Sequence, residues 1–447
     1  MMPVRSILPR PRFPAPGPRA RLAPNAVTAK DRKVTQHMRV AAAADGVESA
    51  YAWRRLAAAV AISTIGGIGL WSLVVALPTV QQEFAIARGD ASLPYTLTML
   101  GFMAGGVIMG RLADRHGVIV PALIGTVSLA IGYVGAAFAT GLWSFALVYA
   151  VLIGMLGSSA VFAPLVADSS HWFDRRRGIA VALASCGSYF AGALWPPVLQ
   201  AMIDAWGWRQ AHLAVGIFCL VTMLPLTLVL RRRSPIRDMR PGGVATSIAY
   251  PARPFGLSPN ALQGLLMFAG FSCCVAMAMP QVHIVAHCVD LGFGAARGAE
   301  MLAVMLATGV ISRLASGFIM DRVGGVATLL LFASLQAVAL ALFIPFDGLA
   351  SLYVVSAVFG LFQGGLVPSY AIIVRECFPP RQAGTRVGLV LSSTLAGMAF
   401  GGWVSGAIFD ATASYQMAVV HGILWNLLTM AIALWILQRR QPRPALA

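Results

Sequence analysis

Long apolar runs separated by short polar breaks give this chain a rhythm that predicts twelve hydrophobic spans. They fall near residues 56–80, 92–109, 118–139, 142–167, 178–203, 211–230, 261–287, 299–320, 326–346, 349–374, 387–409 and 416–437. Each is long enough to cross ~30 Å of hydrocarbon at ~1.5 Å per residue. Lipid offers a backbone no hydrogen-bond partner, so only helices or a closed barrel can span it. A barrel needs alternating segments of about ten residues, and none occur. The expected fold is all-α and polytopic, with twelve transmembrane helices in two pseudo-symmetric six-helix halves.

Composition supports the membrane reading. Of 447 residues, 58% are hydrophobic and only 11% charged, which does not suit a soluble domain. The formal net charge of +17 could signal nucleic acid, so its placement decides. With the N-terminus inside, 29 of the 33 basic residues fall in inside segments and three outside, namely Arg88, Arg209 and Arg297. That is the positive-inside bias, and it predicts cytoplasmic termini and no nucleic-acid partner. The remaining basic residue, Arg313, lies within a span.

Residues 1–55 are rich in Pro, Arg and Ala without helical periodicity or a signal-like apolar stretch, and are expected to form a disordered cytoplasmic tail. Helical halves are expected at 56–230 and 261–437. Between them, 231–260 opens with Arg231, Arg232 and Arg233, continues with several Pro and Gly, and reads as a cytoplasmic linker. A short tail, 438–447, closes the chain. The six cysteines show neither disulfide nor zinc spacing and read as packing residues.

One motif occurs twice. Gly110, Asp114, Arg115 and Gly117 stand between spans two and three. Gly317, Asp321, Arg322 and Gly324 stand between spans eight and nine. Both read G-x-x-x-D-R-x-G with a constant offset, which implies a duplicated six-helix unit. The glycines permit close helix approach, and the acid can meet an arginine or a helix N-terminus.

With this duplicated loop, residues 56–437 resemble the major facilitator superfamily. The resemblance implies two bundles that rock about a central site. It also implies a loop that stabilises the outward-open state, carried here by Gly110, Asp114, Arg115 and Gly117 and, in the second copy, by Asp321 and Arg322. In the first copy Val118 and the two residues after it replace the usual basic residues. The stretches from His171 to Gly178, Gly207 to Arg209, and Gln281 to Gly292 are similar to bacterial members of the monocarboxylate transporter group. That resemblance implies a bacterial inner membrane, and matches Arg313 to the arginine that pairs with a substrate carboxylate. The chain departs from the group in having no membrane lysine and no acid within one turn of Arg313.

Arg313 is also the sharpest signal from the residues themselves. It lies eight residues before Asp321, ~12 Å above the loop at ~1.5 Å per residue. An arginine at that depth must face a polar cavity and meet an anion, and its planar fork suits a carboxylate. His283, His287 and Asp290 share one helix face at the end of span seven. They suit a gate or proton acceptor, a hydrogen-bonded structural role, or, more remotely, a metal site. Further cavity candidates are Trp71, Tyr95, Phe162, Tyr189, Gln281, Gln363, Tyr370 and Ser393, each of which could equally serve helix packing. The G-x-x-x-G pairs, Gly106/Gly110 among them, read as helix contacts, while His212, His421 and Glu300 read as solvated or capping residues.

Three function classes compete. The first is a secondary carrier of a small organic anion, monocarboxylate-like and proton-coupled, working as a monomer in lipid without a cofactor. The second is a proton-driven exporter of hydrophobic compounds, whose usual span-five motif G-x-x-x-G-P-x-x-G-G is absent. The third is a membrane enzyme, for which the spans lack converging acids or metal ligands. No G-x-x-x-x-G-K-[ST] loop occurs, so ATP is not the energy source.

Overall fold

A computed structural model describes residues 48–173, 176–232 and 254–439. Among them stand twelve helices long and apolar enough to span a membrane: α1 Ala50–Phe84, α2 Arg88–His116, α3 Ile119–Ala137, α4 Leu142–Ser169, α5 Gly178–Trp206, α6 Trp208–Val229, α7 Pro259–Asp290, α8 Ala295–Val323, α9 Gly325–Leu342, α10 Leu349–Cys377, α11 Gln382–Thr412 and α12 Gln416–Gln438. The described residues contain no strand. The chain is a multi-pass, all-helical membrane protein.

The helices overrun the apolar runs, which corrects the expected tail. Residues 50–55 are helical because the Ser49 side chain accepts a hydrogen bond from Ala52 N at 3.3 Å and Arg55 is buried against Asp168 at 2.9 Å. An N-cap satisfies one orphan N–H, and the ion pair holds the second turn to α4. The remainder of the tail, 1–47, lies outside the described residues. So do 233–253 of the expected linker and 440–447 of the expected C-terminal tail; Ser258 caps α7.

Helix irregularities carry their own compensation. α1 breaks at Gly67. Two carbonyls beside the break are taken by other helices: Thr64 O by Trp195 Nε1 at 2.9 Å and Gly66 O by Ser158 Oγ at 3.0 Å. In lipid such a carbonyl would otherwise stay unpaired. Ser158 closes a π-helical stretch of α4, Tyr149–Ser158, against which α2 lies backbone to backbone. A Cβ on Gly101 would come within 2.1 Å of Ala150 O, and one on Gly105 within 2.0 Å of Met155 O. Gly360 on Met305 O, Gly397 on Phe271 O and Gly401 on Val275 O also make close helix contacts, at 2.0, 2.3 and 2.6 Å from an added Cβ. Gly106 and Gly110 depart from expectation, with nothing within 4 Å of an added Cβ. That pair is no helix contact in this conformation.

Helices from the first six meet helices from the last six chiefly where α2 runs along α11, α5 along α8 and α1 beside α7. The two ends of these seams differ. At the end opposite the repeated motif, a Cβ on Gly406 would stand 2.9 Å from Arg88 O and one on Gly402 3.1 Å from the Tyr95 ring. At the motif end, Gly110, Gly117, Gly178, Gly317, Gly384 and Gly388 meet nothing within 4 Å. The bundle is closed at the opposite end and parted at the motif end.

Candidate functional site

Where α1, α5 and α8 meet, the structure brings Arg313, Tyr189 and Trp71 together. The Arg313 Cζ sits 4.4 Å from the centroid of the Tyr189 ring. The Trp71 Nε1 donates to Ser188 O at 3.1 Å, next to Tyr189. Among the described residues the Arg313 side chain has no ion pair, and its buried Nε has no hydrogen-bond partner. Arg313 lies about ten residues from Val323, roughly 15 Å from the motif end at ~1.5 Å per residue. By sequence no acid lies near mid-span on any helix. A partly buried guanidinium with unspent donors is a ready anion partner.

A polar layer from α7, α8 and α10 joins α8 at Ser312, the residue before Arg313, where a Cβ on Gly364 would stand 2.7 Å from Ser312 Cβ. Gln281 Nε2 donates to Gln363 Oε1 at 2.5 Å, while Gln363 Nε2 and Ser312 Oγ are buried without partners. The other cavity candidates are not part of this group. Tyr95 is 2% exposed and packs on Gly402, in the closed seam of α2 and α11. The Phe162 ring stands 6.1 Å from that of Phe102. Tyr370 is fully buried, its hydroxyl unpartnered. Ser393 Oγ is half-buried and donates to Val390 O at 2.7 Å.

The closure at the opposite end is a second polar centre, anchored by a residue that sequence reasoning placed in an outside loop. Arg88 opens α2, is 7% exposed, and grips Asp290 of α7 bidentately at 2.9 and 3.0 Å. Its Nε donates to Gln81 at 2.6 Å. Asp410, near the end of α11, accepts from Arg88 N at 2.8 Å and Gly89 N at 2.6 Å, so a carboxylate caps the positive end of α2. The Arg88 Nη1 also donates to the Tyr415 hydroxyl at 2.7 Å. Burial pushes the Tyr415 phenol above its usual range, so it stays protonated and can donate onward.

That donation goes to His283. The carbonyl of Gly402, 2.8 Å from His283 Nε2, can only accept, so Nε2 carries the proton. In the neutral ring, the Nε2–H tautomer, Nδ1 is then the acceptor for Tyr415, 3.2 Å away. The His287 ring stands edge-on to Tyr415 at 5.2 Å. With His283 and Asp290 committed to these partners, the metal reading of the three residues loses its ligands.

At the motif end, Asp114, Arg115, Asp321 and Arg322 are all exposed, and none has an ion-pair partner among the described residues. Glu376 of α10, and not Asp321, meets the N-terminus of α9, accepting from Gly325 N at 3.2 Å. A further correction concerns His212, read as solvated or capping. It is 1% exposed; its Nδ1 donates to Trp208 O at 2.7 Å, and its Nε2 meets Tyr149 at 2.7 Å. Ser72 links Tyr149 to Tyr133 at 3.1 and 2.9 Å. Glu300 pairs with Arg297 at 3.0 Å.

Arg88, Asp410 and Tyr415 are the residues that sequence reading missed. A signal was available: an arginine on the side that basic residues avoid needs a local reason. All three such arginines are ion-paired, Arg88 with Asp290, Arg209 with Glu83 and Arg297 with Glu300.

Comparison with known proteins defines the class. The family model described as Major Facilitator Superfamily matches residues 59–351 and 328–447. The chain belongs to that superfamily. Rat "Monocarboxylate transporter 13" is 30% identical over 344 residues, 76% of this chain and 77% of that protein. Human "Monocarboxylate transporter 11" is 29% identical over 283 residues, 62% of this chain and 57% of that protein. Among solved structures, a bacterial homologue of the human lysosomal transporter Spinster, in its inward-facing and unoccupied conformation, superposes with a TM-score of 0.70. It is 16% identical, with 89% of this chain and 99% of that one covered. The protein is a transporter of the major facilitator type, similar to monocarboxylate transporters.

Proposed function

We propose that the protein is a secondary active carrier that moves a small monocarboxylate-like anion, coupled to protons, by alternating access. The observation that carries this reading is Arg313, a guanidinium without a counter-ion at the meeting point of three helices, which a substrate carboxylate would complete. One guanidinium with no second cation at that depth favours a monoanion over a dianion. The similarity to monocarboxylate transporters supports the same substrate class.

In this reading residues 56–230 and 261–437 are the two rocking halves. The positive-inside bias favours the cytoplasmic side for the motif loops and both termini, and the resemblance to bacterial members of the group favours a cell inner membrane. The conformation is then inward-open, with Arg88, Asp290, Asp410, His283 and Tyr415 as the outer closure. The motif residues Asp114, Arg115, Asp321 and Arg322 await the outward-open state, in which the cytoplasmic ends meet. Trp71, Gln281 and Gln363 border the substrate beside Arg313, while Tyr95 moves with the outer seam. A proton on His283 Nδ1 would face the Tyr415 hydroxyl beside Arg88, so acid outside loosens the closure. The other charges facing that cluster are Asp290, Asp410 and Asp347, with His287 also titratable. Both halves lying in one chain supports function as a monomer.

The test is uptake of labelled small mono- and dicarboxylates into proteoliposomes with and without an inward proton gradient. Monocarboxylate uptake stimulated by the gradient supports the reading. Preference for dicarboxylates, or indifference to the gradient, contradicts its substrate or its coupling part respectively.

A further inference from the structure

Arg313 is charged, partly buried and has no acid within reach, so something other than a counter-ion must hold it. The residue one helical turn before it is Gly309, where a side chain would project on the same face. That position carries no side chain because Tyr189 occupies the space. A Cβ on Gly309 would stand 2.6 Å from Tyr189 Cε1 and 2.8 Å from Cδ1, with Gly360 O of α10 at 3.7 Å on its other flank. The ring seated there has the Arg313 Cζ 4.4 Å from its centroid, well inside the ~6 Å range of a cation–π contact. The hydroxyl of Tyr189 shows no hydrogen bond among the described residues, so the ring face makes the contact.

We propose that Tyr189 is a positioning residue of the anion site: seated in the space that Gly309 leaves open, its π face replaces a carboxylate counter-ion and holds the Arg313 fork fixed and unspent for the substrate. A π face attracts the cation without taking its N–H bonds. An acid in the same place would take them, and the substrate carboxylate would have to displace it. The glycine and the tyrosine are one device contributed by two helices.

The proposal rests on Arg313 as the anion anchor, and the experiment separates the two. Half-saturation and maximal rate of labelled lactate and benzoate uptake into proteoliposomes are measured for the wild type and for Tyr189→Phe, Tyr189→Leu, Gly309→Ala, Tyr189→Leu/Gly309→Ala and Arg313→Gln. Tyr189→Phe keeps the ring and stays within about twofold of wild type. Loss of a cation–π contact is worth about 0.5–2 kcal/mol, so Tyr189→Leu raises half-saturation roughly 2- to 30-fold and changes maximal rate less. Gly309→Ala displaces the ring and gives a similar rise, and the double variant is no worse than the poorer single one. Equal impairment by Phe and Leu overturns the proposal, as does an unchanged half-saturation in Tyr189→Leu or a multiplicative double variant. If Gly309→Ala does not fold, the Phe and Leu pair decides alone. Should Arg313→Gln leave uptake intact, the anchor itself fails; should it abolish uptake while Tyr189→Leu matches wild type, only the stacking proposal fails.

Discussion

Arg313 and Arg88 show how the same side chain serves two purposes according to what faces it. Arg313 meets a ring and no acid; Arg88 meets Asp290 on its fork and Asp410 at its backbone. Arg313 was legible in the sequence because one charge in a charge-free apolar run stands out. Arg88 was not, since it lies at a span boundary where a charge is ordinary, and its partners are 202 and 322 residues away. Breaking the Arg88 pair tests its role as a latch. Arg88→Gln or Asp290→Asn is expected to make a cysteine placed at residue 95 several-fold more reactive toward a membrane-impermeant maleimide added from outside. The swap Arg88→Asp/Asp290→Arg should return reactivity toward wild type. Unchanged labelling in the single variants would remove the latch from the account.

For whole helices, apolar length was a sufficient guide to all twelve, because crossing hydrocarbon imposes a length that no other structure requires. Their ends were less legible. The second turn of α1 holds Arg54 and Arg55, which look like tail until Asp168 and the carbonyl of Arg232 take up Arg55. The glycine pairs were half legible: Gly360 and Gly364 do pack on α8, whereas Gly106 and Gly110 face open space. Spacing alone cannot say which conformation brings a glycine face into contact. Gly360→Val forces atoms against Met305 O, 2.0 Å from where even a Cβ would stand. It is expected to cost about 1–3 kcal/mol through overpacking, while Gly106→Val costs far less. Detergent melting curves of the two variants check this, and equal melting temperatures would refute it.

At the scale of the whole molecule, the duplicated motif and the charge bias foretold the repeat but not which end is shut. That choice depends on the balance between two sets of end contacts, and only one set is made here. α2 and α11 stand out because they meet at the closed end and part at the motif end. A disulfide at the closed end should therefore trap the conformation. Gly89 and Ala407 are suited to it, since a Cβ on Gly89 would lie 3.4 Å from Ala407 Cα, within disulfide reach. Gly89→Cys/Ala407→Cys is expected to lose nearly all transport when oxidised and regain it on reduction. Full transport in the oxidised form would show that this seam need not open.

All of this depends on an anion completing Arg313. The most direct test is proton-gradient-driven uptake of a labelled small monocarboxylate into proteoliposomes, comparing wild type with Arg313→Gln and Arg313→Lys. Removing a charge-assisted bidentate contact is expected to cut uptake at low substrate at least ~10-fold in Arg313→Gln, with Arg313→Lys in between. Transport by Arg313→Gln at the wild-type rate and half-saturation would contradict the account.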